Sequence, residues 1–437
     1  MAEPRILVLG AGPAGAAAAI GLRRLGYSVA VISEWRRFAA VEGVSQRVLE
    51  GLRHAGLVHA MASAAPPAPR RVHWNGAAHG VNQECLVDRP VFDAALREDL
   101  RRAGVELIEA RVRSVESSAA GHRLYLEPGG VQHADFLVEA RGRQAPLAAG
   151  RLRGPETVSL LNFWRQAPGV AASAVESLSD GWAWMARLAD GRCYWQITLD
   201  VASAGLPPRE QLPAYCAERR RHSALVAEIF GAAALQPAEV HARSSTAILF
   251  HDCGGANWLR VGDAAMAVDP LSGNGIFQSL SSALQAPAVI NTLLRHPERA
   301  ELALGFHQRR VEHLFLRFAR TGRDFYALEQ RWAAQPFWHK RSAWPDSEPM
   351  HAAVDASQVR VERLPVIRDG LIEEAEVVVT ADQPLGIWHL QGVALAPLVR
   401  AVQDGRMLDE LLLEQAPELR PMLRSWLVSQ GLAVPRG

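Results

Sequence analysis

A glycine-rich turn near the start of the chain limits the possible folds more than any other feature. Residues 5–15 read RILVLGAGPAG, so an apolar run ends at Gly10 and is followed by Gly12 and Gly15. Gly10 permits a tight turn, Gly12 lets a pyrophosphate approach the backbone, and Gly15 lets the next helix pack on the strand. This spacing predicts a strand, a phosphate-binding turn and a helix.

The residues that follow agree with a dinucleotide-binding unit. Residues 13–25 are rich in alanine and end before Gly26, which is typical of a helix with a glycine stop. Residues 28–32 form an apolar strand, and Glu34 comes directly after it. The helix N-terminus offers N–H groups to phosphates, and an acidic residue at the end of the second strand accepts hydrogen bonds from ribose hydroxyls.

A second motif, much later in the chain, decides which dinucleotide is expected. Residues 259–265 read LRVGDAA and continue into DPLSGNGI at 269–276. Gly262-Asp263 places a carboxylate at a strand end, where it can bind a ribityl hydroxyl. The loop of small residues can approach a flat ring, and the helix beginning near Ile276 can stabilise negative charge on that ring. Together the two motifs indicate one extended molecule, FAD, rather than NAD.

Composition excludes several other classes of protein. The chain has 437 residues, enough for two or three domains, and its net charge of +1 gives no sign of a nucleic-acid partner. Its four cysteines lack disulfide or metal-site spacing, so we expect no metal and a reducing, cytoplasmic location. A strand begins within five residues of the N-terminus and no apolar run reaches about 18 residues, so neither a signal peptide nor a membrane span is expected.

The two motifs resemble those of the FAD-dependent aromatic hydroxylase and flavin halogenase superfamily, over about residues 1–330. The segment VDRPVFD at 87–93 resembles the strand–arginine–helix element of that family, which places Arg89 near the flavin phosphate or ribityl chain. Arg47 resembles a second family arginine near the pyrophosphate. The resemblance implies an α/β fold, in which a Rossmann-like FAD-binding domain is interleaved with a mixed β-sheet substrate domain.

We expect the following division of the chain. The FAD-binding domain comprises residues 1–155 and 240–300, and the substrate domain comprises residues 70–86 and 156–239, interleaved with it. A helical segment at 300–344 and a small C-terminal domain at 345–437 complete the chain.

The expected site follows from the motifs and the resemblance. No catalytic acid or base is assigned, because a flavin supplies the difficult chemistry itself. Three residues are expected to face the substrate, namely Trp182, Trp184 and Asp269. The residues expected to bind FAD are Gly10, Gly12, Pro13, Ala14, Gly15, Glu34, Trp35, Arg47, Arg89, Gly262, Asp263, Pro270, Ser272, Gly273, Asn274, Gly275 and Ile276.

Several activities occur in this superfamily, and one residue type separates two of them. Trp182-Ala-Trp184 resembles the Trp-x-Trp element of the halogenases, but theirs continues with Ile-Pro, whereas this chain reads Met185-Ala186-Arg187. Halogenases also need a lysine in the N-terminal third, whereas the first lysine of this chain is Lys340. Halogenation is therefore disfavoured.

Within the superfamily, the chain resembles the flavin monooxygenases that mature quinohaemoprotein amine dehydrogenase. The resemblance rests on DPLSGNG at 269–275, the altered Trp-x-Trp stretch, the missing lysine and the extra C-terminal domain. It implies hydroxylation of a tryptophan on the small subunit of the dehydrogenase during tryptophylquinone formation. O₂ is the co-substrate, and electrons come from NAD(P)H or a separate reductase. The alternatives are a monooxygenase of a small aromatic metabolite, an FAD-dependent saturase or reductase, and a non-enzymatic flavoprotein chaperone.

Overall fold

The chain divides into two compact units. A computed structural model describes residues 4–36, 38–146, 150–231, 236–273 and 275–432. The larger unit comprises Met1–Pro287 and Val311–Ser347, and the smaller one comprises Ala288–Arg310 and Glu348–Gly437. The expected boundary between an FAD-binding and a substrate domain falls inside the larger unit and stays a prediction.

The strands are listed here in chain order. They are β1 (Arg5–Leu9), β2 (Ser28–Ser33), β3 (Val41–Val44), β4 (Ala68–Trp74), β5 (Ala77–Asp88), β6 (Glu106–Glu109), β7 (Arg111–Ser118), β8 (Gly121–Glu127), β9 (Val131–Ala134), β10 (Phe136–Glu139), β11 (Arg151–Arg153), β12 (Thr157–Arg165), β13 (Ala172–Leu178), β14 (Gly181–Arg187), β15 (Arg192–Asp200), β16 (Glu239–Ser244), β17 (Ile248–Phe250), β18 (Gly254–Gly255), β19 (Trp258–Arg260), β20 (Met266–Ala267), β21 (Arg360–Arg368), β22 (Leu371–Thr380), β23 (Gln383–Ile387), β24 (His389–Leu390) and β25 (Val393–Ala394).

The α-helices are α1 (Pro13–Arg24), α2 (Gln46–Ala55), α3 (Val58–Ala62), α4 (Arg89–Arg102), α5 (Leu212–Arg221), α6 (Ala224–Phe230), α7 (Gly275–Arg295), α8 (Ala300–Ala327), α9 (Pro336–Ser342), α10 (Leu395–Gln403), α11 (Leu408–Leu413) and α12 (Arg420–Ser429). Short 3₁₀ turns lie at Gly142–Gln144, Arg209–Gln211, Gly262–Ala264, Pro270–Ser272, Pro297–Arg299 and Ala356–Gln358.

A six-stranded sheet in the order β18-β19-β10-β1-β2-β6 carries both motifs. Strands β19, β10, β1, β2 and β6 run parallel, and β18 is antiparallel to β19. Residues 6–9 of β1 are completely buried, as a central strand covered on both faces requires. One face packs against the β7-β8-β9 sheet, with Leu124 and Leu126 in the shared core. The alanines of α1 are buried, and their small side chains let the helix lie close to its neighbours.

An eight-stranded sheet in the order β16-β12-β15-β14-β13-β4-β5-β3 is interleaved with the first one. Strands β3 to β5 precede β6 and β10 in the chain, whereas β12 to β16 follow them. The two groups join where β13 pairs in parallel with β4. One face buries Trp195 and Ile197 against helices α5 and α6, and the opposite face carries an aromatic cluster that includes Trp74 and Trp182. The molecule is therefore of the α/β class with interleaved sheets.

One segment differs from its local sequence pattern. Residues 41–62 read as helical, but residues 41–44 form β3 and only the rest is helical, in α2 and α3. Strand β3 pairs with the end of β5, with Val41 opposite Asp88 and Val44 opposite Cys85. This edge pairing is long-range and overrides local helix propensity.

The smaller unit has a core of its own. Strands β21, β22 and β23 form an antiparallel sheet. Its residues Val378 and Val359 pack with helices α10 to α12, where Leu423 and Leu427 are completely buried.

Candidate functional site

The two glycine-containing motifs end at the same edge of the six-stranded sheet. Strands β2, β1, β10 and β19 are neighbours and run parallel, so their carboxyl ends lie side by side. Gly10 follows β1, Glu34 comes just after β2, and Gly262-Asp263 follows β19. Ligands of open α/β sheets bind outside the carboxyl ends of the strands, and this edge is therefore the expected cofactor site.

Three glycines let the backbone segments touch at this edge. Gly10 has φ of 106°, and a Cβ added there would lie 2.5 Å from the Ala140 carbonyl oxygen. A Cβ on Gly15 would lie 1.9 Å from the Gly10 carbonyl oxygen. A Cβ on Gly262, where φ is 61°, would lie 2.6 Å from Cβ of Ala14. The first and second motifs are thus in direct contact.

The amino terminus of α1 is open to a ligand. Gly12 occupies the N-cap position and has no side chain that could accept from the first-turn N–H groups, and Pro13 is the first helical residue. A Cβ on Gly12 would meet no atom within 4 Å, so the space above this residue is free of protein. Uncapped N–H groups and the positive end of the helix dipole suit a pyrophosphate.

Asp263 lies in an enclosed position but remains reachable. Its side chain is 33% exposed, and its Oδ1 accepts a hydrogen bond from the Ser279 hydroxyl at 3.0 Å. Arg143 approaches the other oxygen at 3.6 Å. Burial raises the pKa of Asp263, while Arg143 and Ser279 oppose that rise. A carboxylate held in this way can accept a further hydroxyl donor, as a ribityl chain provides.

The other expected ligands on the first half of the chain lie in different surroundings. Glu34 is exposed just beyond β2, and Trp35 is half-buried with the Arg97 guanidinium 4.6 Å from its ring centre. Arg47 is exposed in the first turn of α2. The roles of these residues in binding FAD stay predictions.

Arg89 is buried and belongs to a charge network whose other members, Glu42, Asp93 and Arg36, are half-buried. Its guanidinium donates to Glu42 at 2.6 Å and to Asp93 at 2.8 Å, and Arg36 also donates to Asp93 at 3.1 Å. Burial would raise the pKa of Glu42, but Arg89, Arg243 and Arg36 outweigh it, so that pKa is lowered. Arg89 is thus engaged with two carboxylates, and its expected contact with FAD stays a prediction.

The 269–273 loop has a defined shape. The Asp269 carboxylate accepts a hydrogen bond from the backbone N–H of Leu271 at 2.9 Å, which caps the turn at 270–272. Gly273 ends this turn with φ of 63°. Helix α7 begins at Gly275, and Ile276 is buried. Of the other expected ligands here, Pro270 and the Ser272 backbone belong to the turn, and Asn274 lies outside the described residues.

The two tryptophans expected to face the substrate differ in exposure. Trp182 is only 3% exposed, and its indole N–H donates to the Tyr326 hydroxyl at 3.2 Å. Trp184 is half-buried, and its indole N–H donates to Glu84 at 3.3 Å. Trp184 is therefore the one of the pair that an incoming molecule can reach directly.

Sequence reasoning missed several residues around these motifs. Arg143 also donates to the backbone carbonyls of Thr246 and Val268, so it connects the turn after β10 to the segment that leads into the loop. Ser282 accepts from the Gly262 N–H at 2.8 Å. The serines of α7 could have been suspected from their place just after the loop, whereas nothing local marks Tyr326.

Neither a metal centre nor a membrane helix is found in what the structure describes. Among those residues, no group of three or more His, Cys, Asp or Glu side chains could hold a metal ion. The helices within the described ranges are all too short or too polar to span a bilayer.

Comparison with known proteins extends this description. Residues 3–313 match the family described as FAD binding domain. A solved structure of QhpG, a peptidyl tryptophan dihydroxylase essential for tryptophylquinone cofactor biogenesis, is 69% identical and covers 99% of this chain and 100% of its own, with a TM-score of 0.89.

Two halogenases are also similar, at much lower identity. The tryptophan 2-halogenase of Chondromyces crocatus is 24% identical over 381 residues, which is 77% of this chain and 71% of that protein. The flavin-dependent halogenase CmlS is 16% identical and covers 99% of this chain and 96% of its own, with a TM-score of 0.79. At this identity, the likeness to CmlS establishes the fold alone.

Proposed function

The chain belongs to the FAD binding domain family, and we propose that it hydroxylates a peptidyl tryptophan during the biogenesis of a tryptophylquinone cofactor. It is an FAD-dependent monooxygenase. The observation that carries the proposal is 69% identity over 99% of the chain to a peptidyl tryptophan dihydroxylase. Because the match covers 99% of the chain, it includes the eight-stranded sheet and the C-terminal unit as well as the FAD-binding segments.

The residues at the sheet edge fit FAD. The open space above Gly12 and the uncapped N–H groups of α1 suit its pyrophosphate, and Asp263 suits its ribityl chain. When bound and reduced, FAD activates O₂ for transfer of one oxygen atom to an electron-rich ring. The protein binds and orients the cofactor, positions the indole and keeps bulk water away.

Halogenation is not favoured. The chain's single lysine, Lys340, lies on α9 and donates to Asp200 at 3.1 Å. Arg341 contacts the same carboxylate at 3.3 Å. Lys340 thus serves an ion pair at the end of β15, and no lysine stands in the N-terminal third where a halogenase needs one.

The specific substrate that we propose is the small subunit of a quinohaemoprotein amine dehydrogenase. The test incubates the reduced protein with O₂ and that subunit, followed by intact and peptide mass spectrometry. We expect the mass of a tryptophan-containing peptide to increase by one or two oxygen atoms. Parallel reactions with the FAD-free protein, with free tryptophan and with added halide serve as controls.

Each result bears on the proposal. An unchanged subunit mass would contradict it, and oxidation of free tryptophan alone would instead support the small-metabolite alternative. A halogen isotope pattern would restore the halogenase interpretation. Loss of hydrogen from the substrate without gain of oxygen would point to a saturase.

The electron donor is the second part of the proposal. The chain carries one Rossmann fingerprint, at residues 5–15, which the FAD pyrophosphate is expected to occupy. We propose that NAD(P)H binds only transiently or that a separate reductase delivers the electrons. Anaerobic mixing with NADH or NADPH, followed by the loss of flavin absorbance, separates these two routes.

We also propose a cytoplasmic location. Support comes from the four cysteines, Cys85, Cys193, Cys216 and Cys253, which are all buried thiols. Thiols in this state are typical of a reducing compartment. Fractionation of cells that express the protein tests this location.

A further inference from the structure

A hydroxyl group at the end of α8 joins the eight-stranded sheet to the 269–273 loop. Trp182 on β14 donates its indole N–H to the Tyr326 hydroxyl at 3.2 Å. Tyr326 in turn donates to Oδ1 of Asp269 at 2.8 Å. The same oxygen accepts the N–H of Leu271 at 2.9 Å. The three contacts form one continuous path of hydrogen bonds.

The Tyr326 ring is fixed in place by aromatic packing. Tyr326 is 2% exposed. Its ring meets Phe337 edge-on at a centroid distance of 5.6 Å and Trp338 at 5.9 Å. Because edge-to-face packing leaves the ring little freedom, the hydroxyl can point in few directions. Its position is therefore set by the sheet and by α9 rather than by the loop.

Charge favours Tyr326 as the donor to Asp269. Burial and the nearby Asp269 carboxylate raise the pKa of Tyr326 well above its usual value, so the phenol keeps its proton. Burial also raises the pKa of Asp269, against the influence of Arg341 and the Leu271 N–H. The Tyr326 hydroxyl and the Arg341 guanidinium thus both favour the ionised form of Asp269, whereas burial opposes it.

The loop depends on the orientation of this carboxylate. The turn at 270–272 is a single turn of 3₁₀ helix, and Asp269 caps it through Leu271. The Leu271 side chain also packs against the aromatic cluster that contains Tyr326. A rotation of the Asp269 carboxylate would release the Leu271 N–H and let the turn open.

We infer that Tyr326 is a positioning residue that acts through Asp269: it orients the carboxylate that holds the 269–273 loop in the shape required by the isoalloxazine ring. The inference rests on the proposed function, because that function places the flavin ring at this loop. It adds a residue from a distant helix to the determinants of flavin geometry. Tyr326 itself need not touch flavin or substrate.

The test is Tyr326→Phe, which keeps the ring and removes only the hydroxyl. Amide hydrogen exchange of a peptide spanning 269–273 should become about three- to tenfold faster, as loss of one buried hydrogen bond implies. The visible absorption and circular dichroism of bound FAD should shift. We expect kcat to fall about five- to tenfold, with KM for the polypeptide substrate within about twofold of wild type.

Two further variants show whether Tyr326 acts through Asp269. Asp269→Ala should produce the larger change in loop exchange and in the FAD spectrum. The double variant should lose no more than Asp269→Ala alone, because residues on one path are not additive. Tyr215→Phe is the matched control, since it removes a half-buried hydroxyl that contacts Arg219 in the core on the other face of the sheet.

The outcomes are distinct. Wild-type exchange of 269–273 in Tyr326→Phe, or effects of the two single variants that simply add, would overturn the inference. If Tyr215→Phe changes loop exchange and the FAD spectrum as much as Tyr326→Phe does, the effect reflects a general loss of stability, and the inference is overturned. If wild-type protein does not oxidise a peptidyl tryptophan, the proposed function fails, but loop exchange and the FAD spectrum still decide the role of Tyr326.

Discussion

At the scale of single residues, Asp263 is the side chain on which retention of FAD should depend most. It stands at the end of β19, held by Ser279 and Arg143 and still one-third exposed. A hydrogen bond to a charged group contributes about 1.5–3 kcal/mol, or roughly 10- to 100-fold in affinity. We expect Asp263→Ala to raise the dissociation constant of FAD by that factor, as measured by quenching of flavin fluorescence.

The control for Asp263 is a neighbouring carboxylate outside the motif. Asp252 is exposed, and Asp252→Ala should leave the dissociation constant of FAD unchanged. Equal retention of FAD by the two variants would contradict the assignment of residues 262–263 to the cofactor.

A buried carboxyl in the eight-stranded sheet gives a prediction about pH. Glu176 on β13 is 8% exposed, and Ser223 donates to it at 2.5 Å. Burial raises its pKa, with Ser223 opposing. A raised pKa means that the folded protein holds this proton more tightly, so the contribution of Glu176 to stability is greatest at low pH and is lost as Glu176 ionises.

Glu176→Gln should therefore stabilise the protein relative to wild type as pH rises. As pH rises above the usual pKa of a glutamic acid, about 4.3, we expect the difference in free energy of unfolding to move toward the variant. Thermal unfolding across this range measures it. A difference that stays flat with pH for Glu176→Gln would show that burial of this carboxyl does not affect stability.

At the scale of elements, a substitution in the turn between β1 and α1 can distinguish an effect on cofactor binding from an effect on folding. Gly12 has φ of −71° and open space around it, so alanine fits the protein at this position. Its methyl group would enter the space expected for the pyrophosphate. We predict that Gly12→Ala weakens FAD binding more than about tenfold, while the melting temperature of the FAD-free protein stays within about 1 °C.

Two other glycines provide controls for Gly12→Ala. Gly15→Ala would bring a methyl within 1.9 Å of a backbone oxygen, so it should destabilise the fold itself by about 1–3 kcal/mol or more. Gly129→Ala also meets open space and should change neither property. If Gly12→Ala binds FAD normally, the pyrophosphate does not lie over this turn.

Elements with strong local signals were predictable, and those set by distant partners were not. The β1–α1 turn is predictable because three glycines, Gly10, Gly12 and Gly15, lie within the eleven residues 5–15. The local sequence of β3 favours a helix, and only its pairing with β5 makes it a strand. Tyr326 carries no local mark of its role, since its path to Asp269 depends on how α8 packs on the sheet. Spacing in the sequence reveals loops and turns but not contacts between helices and loops.

At the scale of the whole molecule, FAD should connect parts of the larger unit that are remote in sequence. Its expected contacts run from the turn at 10–15, through Glu34, to residues 262–263, and three of these glycines already bring their backbones together. A ligand that binds only the folded state stabilises it by mass action. At a free FAD concentration about 100 times the dissociation constant, the gain is about 2.7 kcal/mol.

We therefore expect removal of FAD to lower the unfolding midpoint of the larger unit, and re-addition to restore it in proportion to the logarithm of FAD concentration. Calorimetry at several FAD concentrations measures this slope, and Gly12→Ala should shift its onset to FAD concentrations more than about tenfold higher. Leu423→Ala, in the separate core of the smaller unit, should cost about 2–5 kcal/mol there without changing the FAD dissociation constant. If the unfolding midpoint of the larger unit does not change with FAD concentration, FAD does not bind selectively to the folded unit.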